Sequence, residues 1–412
     1  MAHLRGLRGA RRPRGQLPVL ALPAPPHRAA HDRHEEGHRR IERRRLPPAR
    51  PRPHFLSGAV RGSHRNRPVN ADAPTASDPI RVDEVWLGGW RGPSLLRVRD
   101  GALEYLSPAG SAHHAGPRLA GTILPGFVDS HVHLGLVDAS GLVAGGISRV
   151  VDLGWDPAVA SGWAGSTGPD AVDVEFAGAF LTARGGYPGD RSWAPPEAVR
   201  ELSTGAEASA AVAEMVGFGA SVIKIALNSE AGPVWSDALL EDVVAAAHAA
   251  DLPVVAHAEG PGQAMRAVAA GVETLAHTPW TERLTDDEVA ASAARCAWTS
   301  TLDIHGWGDR GRAYDTAIDN LGRFAALGGR VLYGTDLGNG PLPVGLNARE
   351  LAALGEAGLS TGDLVRALIR SSGSFGARFT WIPGEVAPGR EGASWLSTAS
   401  VVSLVTMEEI YS

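Results

Sequence analysis

From residue 123 onward, short apolar runs alternate with alanine-rich stretches whose apolar positions recur at helical spacing. This alternation constrains the fold more than any other feature of the 412-residue chain. Strands separated by helices must run parallel, with the helices packed on the sheet. Eight strand candidates can be counted: 123–133, 149–153, 172–182, 221–227, 253–258, 272–277, 298–302 and 331–336. Two of the helices between them carry clear start signals. Ser236 is a good N-cap ahead of the apolar stripe Leu239, Leu240, Val243, Val244 and Ala247. Thr285 and Glu288 have capping-box spacing before Val289. Eight βα units in a segment of this length predict an α/β fold, a (β/α)8 TIM-like barrel over 123–383.

The flanks read differently. Residues 80–122 form short strand patterns at 80–87, 95–98 and 103–106, joined by glycine turns, and 399–405 is strand-like again. These segments predict a small β-sandwich domain built from 80–122 and 384–412. Ahead of them, residues 1–70 hold 17 arginines against Asp32, Glu35, Glu36 and Glu42, a local charge of +13 in a chain of net charge -6. Proline-rich and without apolar periodicity, 1–79 is predicted to be a disordered leader, or one added by a misplaced start. Two other readings stay open. One is a basic arm for RNA or another polyanion. The other is an export signal, since Arg11 and Arg12 precede Leu17 to Leu22, although Pro18 and Pro23 break that apolar run.

Composition narrows the class. No apolar run is long enough to cross a bilayer, so no membrane partner is expected. The single cysteine, Cys296, excludes an internal disulfide and fits a reducing, cytoplasmic location. Away from the leader the chain carries an excess of 19 negative charges, which argues against nucleic acid and leaves a small molecule as the expected partner, with a homo-oligomer open.

The candidate chemistry lies where polar residues end the strands. Residues 71–412 contain eight histidines, and four of them, His131, His133, His257 and His277, sit at the C-terminal ends of three predicted strands. Asp336 ends the last strand. In a barrel those ends converge on one mouth. His131 and His133 are two apart, so they share one face of a strand and can chelate one ion. Taken singly, the pair could sit in a polar turn, His257 and His277 could be structural, and Asp336 could cap the next helix. Together they are hard to explain as packing.

Lys224 is the only lysine among 39 basic residues, and it stands inside the apolar run Val222-Ile223-Lys224-Ile225-Ala226. Burial of an unpaired ammonium is costly and lowers its pKa, which exposes a neutral amine able to take up carbon dioxide. The carbamate formed is an anionic ligand with two oxygens, able to bridge two metals; arginine cannot supply it, because the guanidinium is not deprotonated. The alternative is a salt bridge to a carboxylate such as Glu230.

These residues resemble the amidohydrolase superfamily, in particular members similar to imidazolonepropionase and Xaa-Pro dipeptidase. The matching stretches are Leu124-Pro125-Gly126-Phe127-Val128-Asp129-Ser130-His131-Val132-His133, Val222-Ile223-Lys224-Ile225, Val255-Ala256-His257-Ala258, Leu275-Ala276-His277 and Tyr333-Gly334-Thr335-Asp336. The resemblance implies two divalent metal ions, expected to be zinc. His131, His133 and Asp336 would bind the first and His257 and His277 the second. Carboxylated Lys224 and a hydroxide would bridge them, with Asp336 moving the proton. The implied activity is hydrolysis of an amide, cyclic amide or ester. Two departures are visible. The usual final strand is replaced by Ala393-Ser394-Trp395-Leu396. Glu259 follows His257 by two residues, where mononuclear deaminases place a glutamate three residues on.

Substrate contacts are expected in the loops after the strands, at Arg184, Tyr187, Arg191, Asn228, Trp280, His305 and Asn339. His113, His114 and His248 read as structural or solvent-exposed. The competing functions are a mononuclear deaminase of a heterocycle, a non-catalytic barrel scaffold and a polyanion binder acting through the leader.

Overall fold

The computed structural model describes residues 78–99, 101–110, 116–168, 171–370, 375–384 and 392–404. The expected leader 1–79 lies outside them but for its last two residues, as do His113, His114 and much of 384–412.

The chain begins with β1 (Ile80–Val85), β2 (Ser94–Arg99), β3 (Ala102–Pro108) and β4 (Arg118–Pro125). Three strands follow at β5 (Val128–Val132), β6 (Arg149–Asp152) and β7 (Asp173–Phe176), and pair in parallel as one ladder. Then come β8 (Phe180–Ala183), β9 (Val199–Leu202), β10 (Ile223–Asn228), β11 (Val254–Glu259), β12 (Thr274–Leu275), β13 (Ala297–Thr299) and β14 (Val331–Leu332). These form a seven-stranded sheet in the order β14-β13-β12-β11-β10-β8-β9, every neighbouring pair parallel. The last strands are β15 (Arg378–Ile382) and β16 (Ser400–Ser403).

The fold is therefore α/β with parallel sheets, as the alternation predicts, but the strands fall into two ladders and not one ring. Backbone hydrogen bonds still run between the ladder edges. Ser130 N donates to Tyr333 O at 2.9 Å, Asp336 N to His131 O at 2.8 Å and His133 N to Leu337 O at 2.8 Å. At the other side of the three-stranded ladder, Ser221 N, just ahead of the inner strand β10, donates to Phe176 O of β7 at 3.0 Å.

Several strand limits differ from the sequence reading; the runs 272–277, 298–302 and 331–336 are strand only at Thr274–Leu275, Ala297–Thr299 and Val331–Leu332, which leaves His277 and Asp336 in the loops just after their strands. The run 123–133 is two strands, with β4 paired to β1 and β15 while β5 joins the three-stranded ladder. The run 172–182 is broken between β7 and β8 at Gly178, whose φ of +76° suits glycine and whose missing Cβ would lie 2.6 Å from Met215 Sδ. β9 is an additional strand. The flanking segments make a single six-stranded sheet, β16-β15-β4-β1-β2-β3, so the second layer of a sandwich is not found among the described residues. Residues Gly392–Leu396, which include Ala393-Ser394-Trp395-Leu396, form a short helix.

The helices are α1 (Pro157–Ala164), α2 (Gly205–Phe218), α3 (Asp237–Ala249), α4 (Gln263–Ala269), α5 (Asp286–Ala293), α6 (Arg312–Ala326), α7 (Ala348–Glu356), α8 (Thr361–Leu368) and α9, the Gly392–Leu396 helix. The start signals act as read. Ser236 Oγ accepts from Leu239 N at the head of α3, and Thr285 and Glu288 bond reciprocally at the head of α5. The α3 stripe buries Leu240, Val243, Val244 and Ala247, and each buried Leu or Val contributes about 1.5–3 kcal/mol. Trp298 on β13 stacks on Phe324 of α6, ring centroids 3.9 Å apart, which fixes that helix over the sheet. One apolar core joins helices to parallel strands, and a separate cluster around Val82, Leu96, Ile123 and Phe379 fills the six-stranded sheet.

Candidate metal centre

The four histidines and Asp336 come together at the strand ends, all buried. His131 and His133 project from the end of β5. His131 Nε2 lies 3.3 Å from His133 Nε2. Asp336 Oδ1 lies 3.1 Å from the first and 3.2 Å from the second.

The second ring nitrogens decide the tautomers. His131 Nδ1 is 2.8 Å from Ala276 O and His133 Nδ1 is 3.3 Å from Gly154 O. A carbonyl only accepts, so each Nδ1 carries the proton and each Nε2 of the neutral ring is a bare lone pair. Two lone pairs thus face a carboxylate oxygen for which no donor is found among the described residues. Three electron-rich atoms held this close in a buried site call for a cation between them, and nitrogen and carboxylate donors suit a divalent ion.

His257 and His277 form the adjoining pair. His277 Nε2 is 3.1 Å from His257 Nδ1, and His277 Nδ1 is 2.9 Å from Thr301 Oγ1. His257 Nε2 donates to Glu259 Oε2 at 3.1 Å, which leaves its Nδ1 as a lone pair turned toward His277. The pairs adjoin closely: His131 and His277 have ring centroids 4.7 Å apart, and donor atoms of His131, His277 and Asp336 lie within 4.8 Å of one another. Burial holds His131 and His277 well below the usual imidazole range, so both are neutral at neutral pH. Burial pushes the Asp336 carboxyl up, whereas positive charge placed among the imidazoles, on a ring or on a bound cation, would pull it down.

Strain gathers here. Among the described residues four non-glycine positions have left-handed backbone, and three of them lie in the loops after these strands: Thr301 (φ 40°), Trp307 (φ 51°) and Asp336 (φ 58°). Each costs about 1–3 kcal/mol, which surrounding contacts must offset. Asp129 supplies such contacts: it accepts from His131 N at 3.1 Å, Thr335 N at 3.0 Å and Thr335 Oγ1 at 2.5 Å. It ties the strand carrying His131 to the turn carrying Asp336, and burial raises its carboxyl to about 7.

Lys224 is 1% exposed on β10. Burial lowers its amine to about 7, against the opposing charges of Asp336 and Asp152. No ion pair to it is found among the described residues, so the Glu230 salt bridge is not formed; Glu230 N instead donates to Asn228 Oδ1.

Of the expected substrate residues, four lie on the cluster. Tyr187 stacks on His257 at 5.1 Å, Trp280 packs edge-on to His277 at 5.3 Å, and His305 lies 5.0 Å from Trp280. Asn339 Nδ2 donates to Asp336 Oδ2 at 2.9 Å. Asn228 contacts the site at one remove, donating to Glu259 at 2.7 Å. Arg184 is not brought in: exposed, it donates to Ser203 Oγ. Arg191 pairs with its neighbour Asp190 and lies over the Tyr187 ring at 5.7 Å. His248 pairs with Glu273 at 2.7 Å, away from the cluster.

Sequence reasoning missed Phe180 and Trp193, which lie 5.6 and 6.3 Å from His133. Phe180 is drawn close because Gly154 has no side chain; a Cβ there would come within 2.2 Å of the ring. Thr301 and Asp129 were missed as well, though Asp129 stands inside the run Asp129-Ser130-His131-Val132-His133.

Residues 122–338, more than half of the chain, match the profile of the amidohydrolase family, and the chain belongs to that family. No curated protein matches it in sequence. Among solved structures it is similar to a Xaa-Pro dipeptidase with bound methionine in its active site, at 18% identity and a TM-score of 0.64, covering 79% of this chain and 98% of that one. A. niger ochratoxinase is similar at 16% identity and a TM-score of 0.64, over 79% and 94%. Molinate hydrolase follows at 15% and 0.62, over 80% and 94%. At such identities the likeness concerns the fold.

Proposed function

We propose that the chain is a two-metal hydrolase of an amide, cyclic amide or ester bond. The observation that carries this reading is the convergence of His131 Nε2, His133 Nε2 and Asp336 Oδ1, within 3.3 Å of one another. In this reading the two parallel ladders make one (β/α)8 barrel, flanked by a small β domain that is the six-stranded sheet of β1–β4, β15 and β16, so its boundaries fall at about 125 and 378 and not at 122 and 384. The hydrogen bonds between the ladder edges support that arrangement.

His131, His133 and Asp336 hold one cation, His257 and His277 the other, and Lys224 reaches both as its carbamate. Carboxylation joins Nζ to the carbon of carbon dioxide and releases one proton, so a neutral amine is required; the lowered pKa of Lys224 supports this. Two bound zinc-like cations supply Lewis acidity for the scissile carbonyl and lower the pKa of the attacking water. Asp336 accepts the proton of that water and returns it to the leaving nitrogen or oxygen. Asn339 holds the other Asp336 oxygen, which keeps the accepting atom aimed into the site.

Metal analysis of the purified chain together with turnover of dipeptides, N-acyl amino acids, lactones and hydantoins tests this reading. About two divalent ions per chain and hydrolysis of at least one class are expected. A metal-free chain that stays inactive after loading overturns it. A single ion with release of ammonia from a heterocycle would favour the mononuclear deaminase. One observation speaks for that second reading: His131, His277 and Asp336 already form one three-residue group.

A further inference from the structure

A continuous arc of rings wraps the histidine cluster. His133 faces Phe180 at 5.6 Å, Phe180 faces Trp193 at 6.0 Å, and Trp193 faces Tyr187 at 6.2 Å. Tyr187 stacks on His257 at 5.1 Å, His257 meets Trp280 at 5.9 Å, and Trp280 meets His305 at 5.0 Å. Aromatic residues make up only 6% of the chain, so this density is not a compositional accident. Phe180 is fully covered, while Tyr187, Trp193 and Trp280 are half-buried.

The far end of the arc holds an unused polar atom. His305 Nε2 is buried and has no hydrogen-bond partner. It sits on the single helical turn Asp303–His305, and this turn is fixed from beneath. Glu350 Oε1 accepts from Leu302 N at 3.0 Å, and Glu350 Oε2 accepts from Asp303 N at 2.8 Å. Asp303 is itself held by Asn347 and Arg349. A buried imidazole nitrogen left without a partner is costly, and a rigid mount for it points to a ligand atom as the missing partner.

We propose that the site selects substrates carrying a planar aromatic ring beside the scissile bond, seated against Tyr187 and Trp280, with a polar atom at the ring edge bonded by His305 Nε2. This rests on the reading of the cluster as a hydrolytic centre. The ring covers area that the half-buried aromatic side chains leave exposed. The edge atom satisfies the orphan nitrogen. Burial keeps the imidazole neutral, its pKa lowered to about 4, so it offers a directional hydrogen bond and no charge.

The test reads binding and does not depend on turnover. Titration calorimetry on the zinc-loaded full-length chain compares naphthalene-2-carboxylate with decahydronaphthalene-2-carboxylate, which has the same carbon skeleton but is puckered. The flat ring is expected to bind about tenfold tighter, the scale of a favourable aromatic contact. Trp280→Leu should abolish that preference, and Tyr187→Leu gives a second measurement should the first variant fail to fold. Quinoline-3-carboxylate and indole-5-carboxylate then probe the edge atom as acceptor and donor. One of them should exceed naphthalene-2-carboxylate by about threefold or more, a typical net hydrogen bond. His305→Phe should erase this gain while keeping the preference for flat rings. Equal binding of the flat and puckered acids by the wild type overturns the proposal, as does a heteroatom gain that survives His305→Phe. A chain that hydrolyses no amide, cyclic amide or ester yet shows both selectivities would refute the hydrolytic reading and leave the aromatic subsite standing.

Discussion

The Thr301 hydroxyl lies 2.9 Å from His277 Nδ1, and it is held there by a left-handed backbone at φ 40°. A β-branched residue rarely accepts that conformation. The strained turn sets the ring orientation of a residue placed to bind metal. Thr301→Val keeps the shape and the backbone strain but removes the oxygen. Metal affinity should fall about tenfold to a hundredfold, the usual cost of losing such a partner. Competition with a chelator measures it, and circular dichroism should show an unchanged fold.

Asp336→Asn separates charge from conformation. Asparagine tolerates left-handed backbone as well as aspartate does, so the turn at φ 58° should survive. Turnover should drop by at least ~100-fold, the scale of a lost general base. A variant with near-normal turnover of the same substrate would remove Asp336 from proton transfer.

Lys224 allows a test with opposite forecasts. If the carbamate forms, Lys224→Ala should lose much of the metal, and acetate or propionate should restore part of the activity by filling the gap. Lys224→Arg should not be rescued, because a guanidinium brings positive charge toward two cations. Lys224→Glu should retain some metal through its carboxylate. Metal content should also rise with bicarbonate in the wild type alone. Two ions retained by a fully active arginine variant would falsify the carbamate.

Glu350 gives a pH dependence. Burial raises its carboxyl from 4.5 to about 7. Between these values the folded chain keeps a proton that the unfolded chain releases, so this group's contribution to stability falls as pH rises from 4.5 to about 7. Glu350→Gln removes the titration. Across that window the stability difference should shift in favour of the variant by on the order of 3 kcal/mol. Denaturant midpoints at about pH 5 and pH 8 read the shift, and parallel curves for the two proteins would refute it.

The buried cluster was legible because strand ends announce themselves: His131, His133, His257, His277 and Asp336 each close an apolar run, and chain direction sends such ends to one side. Lys224 stood out by composition. The aromatic arc was only half legible. Tyr187, Trp280 and His305 lie in loops after strands, but nothing local says that Trp193 returns to His133. Phe180 looked like an ordinary core residue because its approach depends on the absent side chain of Gly154. Arg184 was misplaced for a related reason: a charge after a strand end can turn outward as readily as inward, and here it meets Ser203. The strand limits failed where backbone geometry overrode hydrophobicity, as at Gly178, and where one apolar run served two sheets, as at residues 123–133.

The burial of Lys224 also fixes the chemical character of the surface. It is the only lysine in the sequence and is 1% exposed, so the folded chain presents every side-chain base at its surface as arginine or histidine. Amine-directed labels, cross-linkers and acylating agents therefore find no lysine to attack while the strands stay packed. A mass increment at Lys224 becomes a direct clock for the opening of the strands around the histidine cluster, readable on the unmodified protein with no engineered probe.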